Sequence, residues 1–503
     1  MAIPSVNRRR FIEGSAVAGL AMGGPLTALA ARTAEARQRP LTPGYGPLYP
    51  TREQDSGREY LALPRGFQYR ILNRTYDPSI AYPAQGSDPQ EVPTPTYFDG
   101  MGAFRGPHGT TVLIRNHENR GDANEEVQPG IPVVVPESYR YDESPAASGG
   151  NTMLVVGRDR RLVEPPLHVL GGTSTNCAGG EMPWGAWVTC EETEVTLGEP
   201  HGYIFEVPSF AEGPIPAIPV PQAGRFSHEA VAWLNGVLYE TEDVREQSCF
   251  YRYRPRQRTD SFGDLARSSG PLEALVIDDH SVWRAGETGA DGDLLEVGRP
   301  YRVRWAPIGD PNPATGAPRT RQQGRAQGAV WFDRLEGCWE SDGRIYFDAT
   351  EGGKPDVPTA SGTATAELGQ IFEYDPRREV LTLLFESPSP EILQNPDNLV
   401  VVPGTGDIFV QEDSPAEQYV RGVTRDGEIY DFARSTINSS EFCGGCFSPD
   451  GQTFFVNQQG GEDDTPDDSD NGITYAIWGP FARTSGRGRD DRWDRDRPQR
   501  RRD

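Results

Sequence analysis

From about residue 45 onward the chain alternates short apolar runs, rich in β-branched and aromatic residues, with Gly, Pro, Asp and Asn. No segment beyond residue 40 sustains a long amphipathic period of 3.6 residues, so the pattern predicts strands and turns rather than helices. One unit recurs: a glycine, an apolar strand, then acids or amides. Its copies are TTVLIRNHEN after Gly109, AWVTCEET after Gly185, VLYETEDV after Gly236, RIYFDATE after Gly343, DIFVQEDS after Gly406 and QTFFVNQQ after Gly451. Each precedes a second run of like character, beginning at Asn151, Gly202, Cys249, Gly369, Gly427 and Gly472. Six such pairs predict an all-β fold, a six-bladed β-propeller, over residues 45–484.

A polar residue opens a short apolar stretch seven or eight positions before several of these glycines: Glu229, Glu336 and Asn398. That spacing reads as a hairpin. An innermost strand runs to the glycine and the next strand returns, so the polar start of one and the acidic end of the other share one mouth. The sixth residue after the glycine is Glu191, Glu242, Glu412 or Asn457 in four copies, and the seventh is Glu192, Asp243, Asp413 or Gln458. Acids aligned in this way converge on one axis. Like charges held together raise one another's pKa and destabilise a fold unless cations neutralise them.

Composition agrees with many strands and turns: of 503 residues 57 are Gly and 45 Pro, and hydrophobic types make up 36 %. The formal net charge of -25 disfavours nucleic acid and anionic lipid as partners and favours cations. The ends are read differently from the body. Residues 1–36 carry a twin-arginine pattern, Asn7 to Ile12, then a weakly apolar Ala- and Gly-rich run and two small-residue cleavage sites, so they are read as a signal peptide. The run is too weakly apolar to leave a stable membrane span after processing. Residues 485–503 mix charges without an apolar period and read as a disordered tail, and Asp464 to Asp470 reads as a solvated loop.

The most specific stretch is Asn176-Cys177-Ala178-Gly179-Gly180, followed by Pro183-Trp184-Gly185-Ala186-Trp187 and Thr189-Cys190-Glu191-Glu192. A thiolate in a polar, Gly-rich turn suits iron or another transition metal, and neighbouring carboxylates suit calcium. Of the six cysteines, Cys443 and Cys446 form a CxxC without a second copy, which favours a structural role. His117 and His228 are candidates for proton transfer or ligation, or equally for structural hydrogen bonding at strand ends. No Ser-His-Asp order and no phosphate-binding P-loop stand out.

These stretches, with Ser227-His228-Glu229, Arg334-Leu335-Glu336-Gly337, Pro396-Asp397-Asn398-Leu399 and Phe447-Ser448-Pro449-Asp450-Gly451, resemble the PhoX family of alkaline phosphatases from about residue 100 to 480. The resemblance implies an exported six-bladed propeller holding iron and calcium and cleaving small organic phosphate monoesters. It implies Cys177 as an iron ligand, and Glu191, Glu192, Glu242, Glu336 and Asp397 as carboxylate ligands. It further implies Arg334 as the grip on the phosphate, with Glu336 beside it in catalysis. The leader implies the twin-arginine export machinery as a partner and a periplasmic or secreted location. The chain departs from the family in carrying Arg-Leu-Glu for Arg-Pro-Glu. Rival readings are a calcium-dependent propeller lactonase or phosphodiesterase that does not need Cys177, and a non-catalytic binding propeller.

Overall fold

A computed structural model describes residues 43–481, except 122–129, 285–288, 354–356, 360–361, 365–367, 416 and 462–470. The expected signal peptide, the charged tail and the Asp464–Asp470 loop therefore lie outside the described residues. The body is all-β, with only short helical turns such as Asp264–Arg267 and Thr320–Arg325. No helix among the described residues is long and apolar enough to cross a membrane.

The repetition seen in the sequence is present in space. Six strands sit at the edges of their sheets: Phe98–Arg105, Asn176–Met182, His228–Leu234, Leu335–Ser341, Pro396–Val401 and Phe442–Phe447. Each pairs antiparallel with the strand that follows the recurring turn, and each of the six pairings breaks register between its first and fourth residues or close by. In five hairpins this bulge takes the second residue of the edge strand out of the ladder; in the sixth Cys443 still pairs with Asn457 and the bulge falls on Gly444 and Gly445. The six edge strands touch in sequence order, and the last touches the first, so they close a ring.

Outer strands fan away from that ring. Four pair with the sequence runs expected, at Gly149–Val156, Ile204–Pro208, Phe250–Tyr253 and Gln370–Asp375. In the fifth hairpin the neighbour is Tyr419–Val423, and the run from Gly427 forms the next strand out, Ile429–Ser435. Sequence reading skipped Tyr419–Val423 because its arginine and glycine hide a strand whose core contacts come from Val420 and Val423. The sixth hairpin adds Ile473–Trp478 and is completed by Gln68–Arg74 from the beginning of the chain. These two strands lie far apart in sequence, so hydrogen bonds rather than chain connection join the last fan to the early part of the described chain. The third and fourth fans merge at their outer edges, where Pro300–Pro307 pairs with both Leu272–Ile277 and Val380–Glu386.

Apolar side chains fill the spaces between successive fans, giving six separate hydrophobic clusters. In the cluster between the third and fourth, Phe250 stacks on Phe347 with ring centroids 4.2 Å apart, and Phe347 on Phe372 at 5.0 Å. Stacked, fully buried rings fix the spacing of neighbouring sheets and hence of the strands on the ring. Phe250→Ala is expected to lower stability by about 3–5 kcal/mol, since it removes a buried ring that the twisted sheets cannot collapse to replace; urea unfolding of the variant beside the wild type measures it.

Candidate functional site

The second residue of each ring strand is Asp99, Cys177, Glu229, Glu336, Asp397 or Cys443. Six strands thus present four carboxyls and two thiols from corresponding positions, five of them at the bulge and Cys443 just before it. All six are largely buried, none more than 8 % exposed. A second tier comes from the residues that follow the returning strands. The amides of Glu118, Glu192, Asp243, Thr350, Asp413 and Gln459 each donate to the carbonyl just before the ring strand, at Tyr97, Thr175, Ser227, Arg334, Asn395 and Glu441. One hydrogen bond repeated six times therefore pins the mouth of the ring.

Four residues of that pre-strand position, Tyr97, Thr175, Arg334 and Asn395, have φ between 50° and 53° although none is glycine. Such backbone is uncommon for non-glycine residues and persists where surroundings over-determine it. Here the repeated amide bond and the bulge hold it. The glycine of Asn176-Cys177-Ala178-Gly179-Gly180 has a different reason: a Cβ on Gly179 would meet the carbonyl oxygen of Val188 at 1.9 Å. Asn116 secures the same strand from the other side, donating to the carbonyls of Cys177 at 2.7 Å and Ala178 at 2.8 Å, while Trp187 Nε1 donates to its Oδ1.

Three sets of potential ligand atoms lie within 4.8 Å of one another: Asp99 with Glu118 and Cys177, Cys177 with Glu192 and Glu229, and Asp99 with Glu441 and Cys443. Cys177 Sγ stands 3.6 Å from Asp99 Oδ2. Glu229 Oε2 is buried without a hydrogen-bond partner, while Oε1 has only Asn398 Nδ2 at 3.4 Å. Burial, then mutual repulsion, pushes the carboxyls of Asp99, Glu192, Glu229 and Asp397 well above their usual range. Glu336 is pushed up to about 8 by burial against the pull of Arg334. The Cys177 thiol rises by burial and by Asp99 and Glu229 beside it.

Two arginines overlook this crowd. Arg334 donates from Nη2 to Asp243 Oδ2 at 2.9 Å and pairs with Glu336 Oε1 at 2.5 Å. Its side chain remains 26 % exposed at the mouth. Glu336 and then Asp243 hold its charge firmly in place. Arg120 pairs with Glu118 at 2.6 Å, and its charge is also felt by Glu192 and Cys177.

Of the residues singled out in the sequence, the structure brings together Cys177, Glu192, Glu336, Asp397 and Arg334. It does not bring Glu191 or Glu242 into the cluster. Glu191 faces away from the axis, accepting from the amides of Ser174, Gly202 and Tyr203 and from His201 Nδ1 at 2.6 Å. Glu242 accepts from Arg321, Tyr251 and the amide of Cys249. Alternate residues of a strand end face opposite ways, so the seventh residue after the turn reaches the mouth when the sixth does not. In the last copy the stretch after the glycine is one residue longer, so Gln459 rather than Gln458 stands there. In the fifth strand the ring residue is Asp397, one before the Asn398 that the spacing suggested.

His117 and His228 are structural. His117 bonds Thr96 O and Thr152 Oγ1, and His228 stacks on Phe226 at 3.6 Å. Sequence reading missed Asp99, Glu441 and Cys443 as members of the cluster. The interval of seven or eight residues that marked Glu229, Glu336 and Asn398 also separates Asp99 from Gly106 and Cys443 from Gly451, so the signal was present once the first ring strand is recognised. All six cysteines are free thiols.

A carboxyl whose folded pKa is raised stays protonated in the fold at pH values where the unfolded chain has lost the proton. Its burial cost then appears as pH climbs from the unfolded value to the folded one. For Glu336 that window runs from 4.5 to about 8. The metal-free protein is therefore expected to lose stability between pH 4.5 and 8. Added calcium or iron should raise the melting temperature more at pH 8 than at pH 5; thermal melts across that range, with and without metal, check it.

A family model described as alkaline phosphatase PhoX matches residues 43–461. Among solved structures, Pseudomonas fluorescens PhoX in complex with vanadate, a transition state analogue, superposes with a TM-score of 0.61. It is 18 % identical over 86 % of this chain and 97 % of that one. The WD40 β-propeller domain of Doa1 gives a TM-score of only 0.36 at 9 % identity, over 81 % of this chain and 96 % of that one. No curated protein sequence matches the chain. The fold is PhoX-like, and the family model spans nearly all the described residues, including the whole ring. The chain belongs to the PhoX family of alkaline phosphatases and is a metal-dependent phosphoric monoester hydrolase.

Proposed function

We propose that the six fans are the blades of a six-bladed β-propeller and that its axial ring is the metal centre at which phosphate monoesters are hydrolysed. The observation that carries the reading is the ring itself: six equivalent positions, four carboxyls and two thiols, with an unpartnered buried oxygen on Glu229 among them. So many acids are tolerable together only beside multivalent cations. The donor set fits the ions that the family resemblance implies. Cys177, with Glu192 and Glu229, offers a thiolate and two carboxylates to iron, and Glu118, Glu336 and Asp397 offer oxygens to calcium.

When bound, such ions supply electrophilic pull on the phosphoryl oxygens. The chain supplies orientation. Arg334 places a planar pair of N–H donors at the mouth, suited to two oxygens of a phosphoryl group. Glu336 and Asp243 fix that guanidinium from below, so little conformational freedom is lost when substrate arrives. The leucine of Arg-Leu-Glu leaves this geometry intact: Leu335 is buried and its amide donates to Ser248 Oγ at 3.2 Å, a bond proline lacks. Glu191 and Glu242 hold the hairpins from behind. The alkyl and aromatic walls between blades keep the ring from relaxing outward.

Arg334→Ala is expected to lower kcat/KM for an aryl phosphate by roughly 10²–10³, the usual cost of a charged donor aimed at the transition state, with bound metal unchanged by elemental analysis. Loss of metal together with activity would show that Arg334 organises the ring rather than the substrate.

The location rests on the leader. Residues Asn7 to Ile12 fit the twin-arginine route, which carries folded proteins and so allows the ring to be loaded before export. Replacing both Arg8 and Arg9 by Lys is expected to leave the phosphatase in the cytoplasm, read by fractionation and immunoblot; unchanged export would refute this route.

A further inference from the structure

The ring has a second end. Its strands run from the acidic mouth to the hairpin turns, and the sixth residue of each stands four places beyond the acids and thiols, about 13 Å along a strand. In the second, third and fourth ring strands that residue is Glu181, Trp233 or Glu340. In the first, fifth and sixth it is Ala103, Val401 or Phe447. The architecture therefore accepts apolar groups at this position, and nothing in it requires the two carboxyls. They lie with Trp233 and Trp339 on the wall of a cavity of about 100 Å³.

Neither carboxyl is neutralised from within the described residues. Among them Glu181 accepts only the amide of Ala103, at 2.8 Å, and Glu340 only that of Gly343, at 2.9 Å; no arginine or histidine pairs with either. Burial pushes the Glu181 carboxyl up to about 7 against the pull of that amide, and a cation beside it would restore the charge. The opposing walls are aromatic. Trp233 is held by Trp184, edge to face with ring centroids 5.0 Å apart. Trp339 packs against apolar clusters with members in the fourth, fifth, sixth and first fans, and it lines both this cavity and the narrow axial space beneath the acids. Indoles beside carboxylates suit a weakly hydrated organic cation. A calcium ion takes six or more oxygens, and the remaining wall residues, Val231, Ala232 and Cys338, bring no side-chain oxygen.

We propose that this end of the ring binds a small organic ammonium ion, walled by Trp233 and Trp339 and balanced by Glu181 and Glu340. A methylated ammonium meets both demands, since it carries charge for the carboxylates and methyl groups for the indoles. The cavity admits a cation of a few heavy atoms and is too small for a nucleotide or a sugar phosphate. The site does not depend on the metal-centre reading, because Trp339 and the length of the ring strands stand between the two.

Calorimetric titration of the purified, metal-loaded protein with tetramethylammonium chloride tests this, with tert-butanol as the neutral analogue and sodium chloride as the inorganic one. One tetramethylammonium ion is expected to bind per chain, with no saturable heat from tert-butanol or sodium. Glu181→Gln keeps an acceptor for the Ala103 amide while removing the charge, and is expected to weaken binding roughly tenfold. Trp233→Leu is expected to weaken it about fivefold. Both variants are expected to hydrolyse an aryl phosphate at the wild-type rate, which shows that they are folded. Absence of saturable tetramethylammonium binding to the wild-type protein would overturn the proposal. So would equal binding of tert-butanol or of sodium, or an affinity unchanged in both Glu181→Gln and Glu340→Gln.

Discussion

Crowding of acidic groups at the axis is the constraint around which the molecule is organised. Six ring strands place their second residues at corresponding positions, and every one of those residues is an acid or a thiol. Left without cations, such a ring is stable only when protonated, because burial and mutual repulsion both oppose charge. The surrounding architecture resists the obvious escape, which is for the strands to splay apart. Apolar clusters separate every neighbouring pair of fans, and Gln68–Arg74, from early in the chain, completes the last sheet. Apolar burial thus holds in place an electrostatic arrangement that is unfavourable by itself, and cations bound at the proposed metal centre would offset the difference.

The mouth divides its labour between adjacent residues. In Glu191-Glu192 and Glu242-Asp243 the first acid turns outward and is consumed by hydrogen bonds, and the second faces the cluster. Glu191 is the clearer case. Four donors satisfy it, including His201, which Asp142 grips from its other side at 3.2 Å. Burial alone would strip the proton from this imidazole, but the two carboxylates outweigh it and raise its pKa. A carboxylate so firmly tied fixes the hairpin end, and so fixes Glu192 beside it.

How much of this was visible in the chain follows from period and spacing. The repeated strand after glycine has a strong local signal, because apolar alternation and the turn residue coincide within a few positions. The ring strands are harder to read: Asn176–Met182 and Phe442–Phe447 are built largely of Gly, Ala and Cys, since neighbouring backbones approach too closely for larger groups. Asp99 was hidden because its strand precedes the first recognised copy. Glu191 and Glu242 were legible as acids at a strand end but not as inward or outward facing, because that choice depends on a bulge in the partner strand that no local pattern encodes. Resemblance to a family found the cysteine and arginine; only the fold shows what the intervening residues do.

Arg334-Leu335-Glu336 holds its geometry without a proline at the middle position. Arg334 takes its direction from a positive φ and from the amide of Thr350, which donates to its carbonyl at 2.8 Å. Glu336 takes its direction from the bulge that begins at Leu335. The residue between them points into the core between the third and fourth fans, beside Phe332 and Phe347. What that position requires is apolar bulk of about the right size, which leucine supplies, and a backbone compatible with the strand start. The guanidinium and carboxylate on either side are therefore held by the strand scaffold rather than by the ring of a proline, and the pair proposed to face substrate is insulated from the residue that separates it.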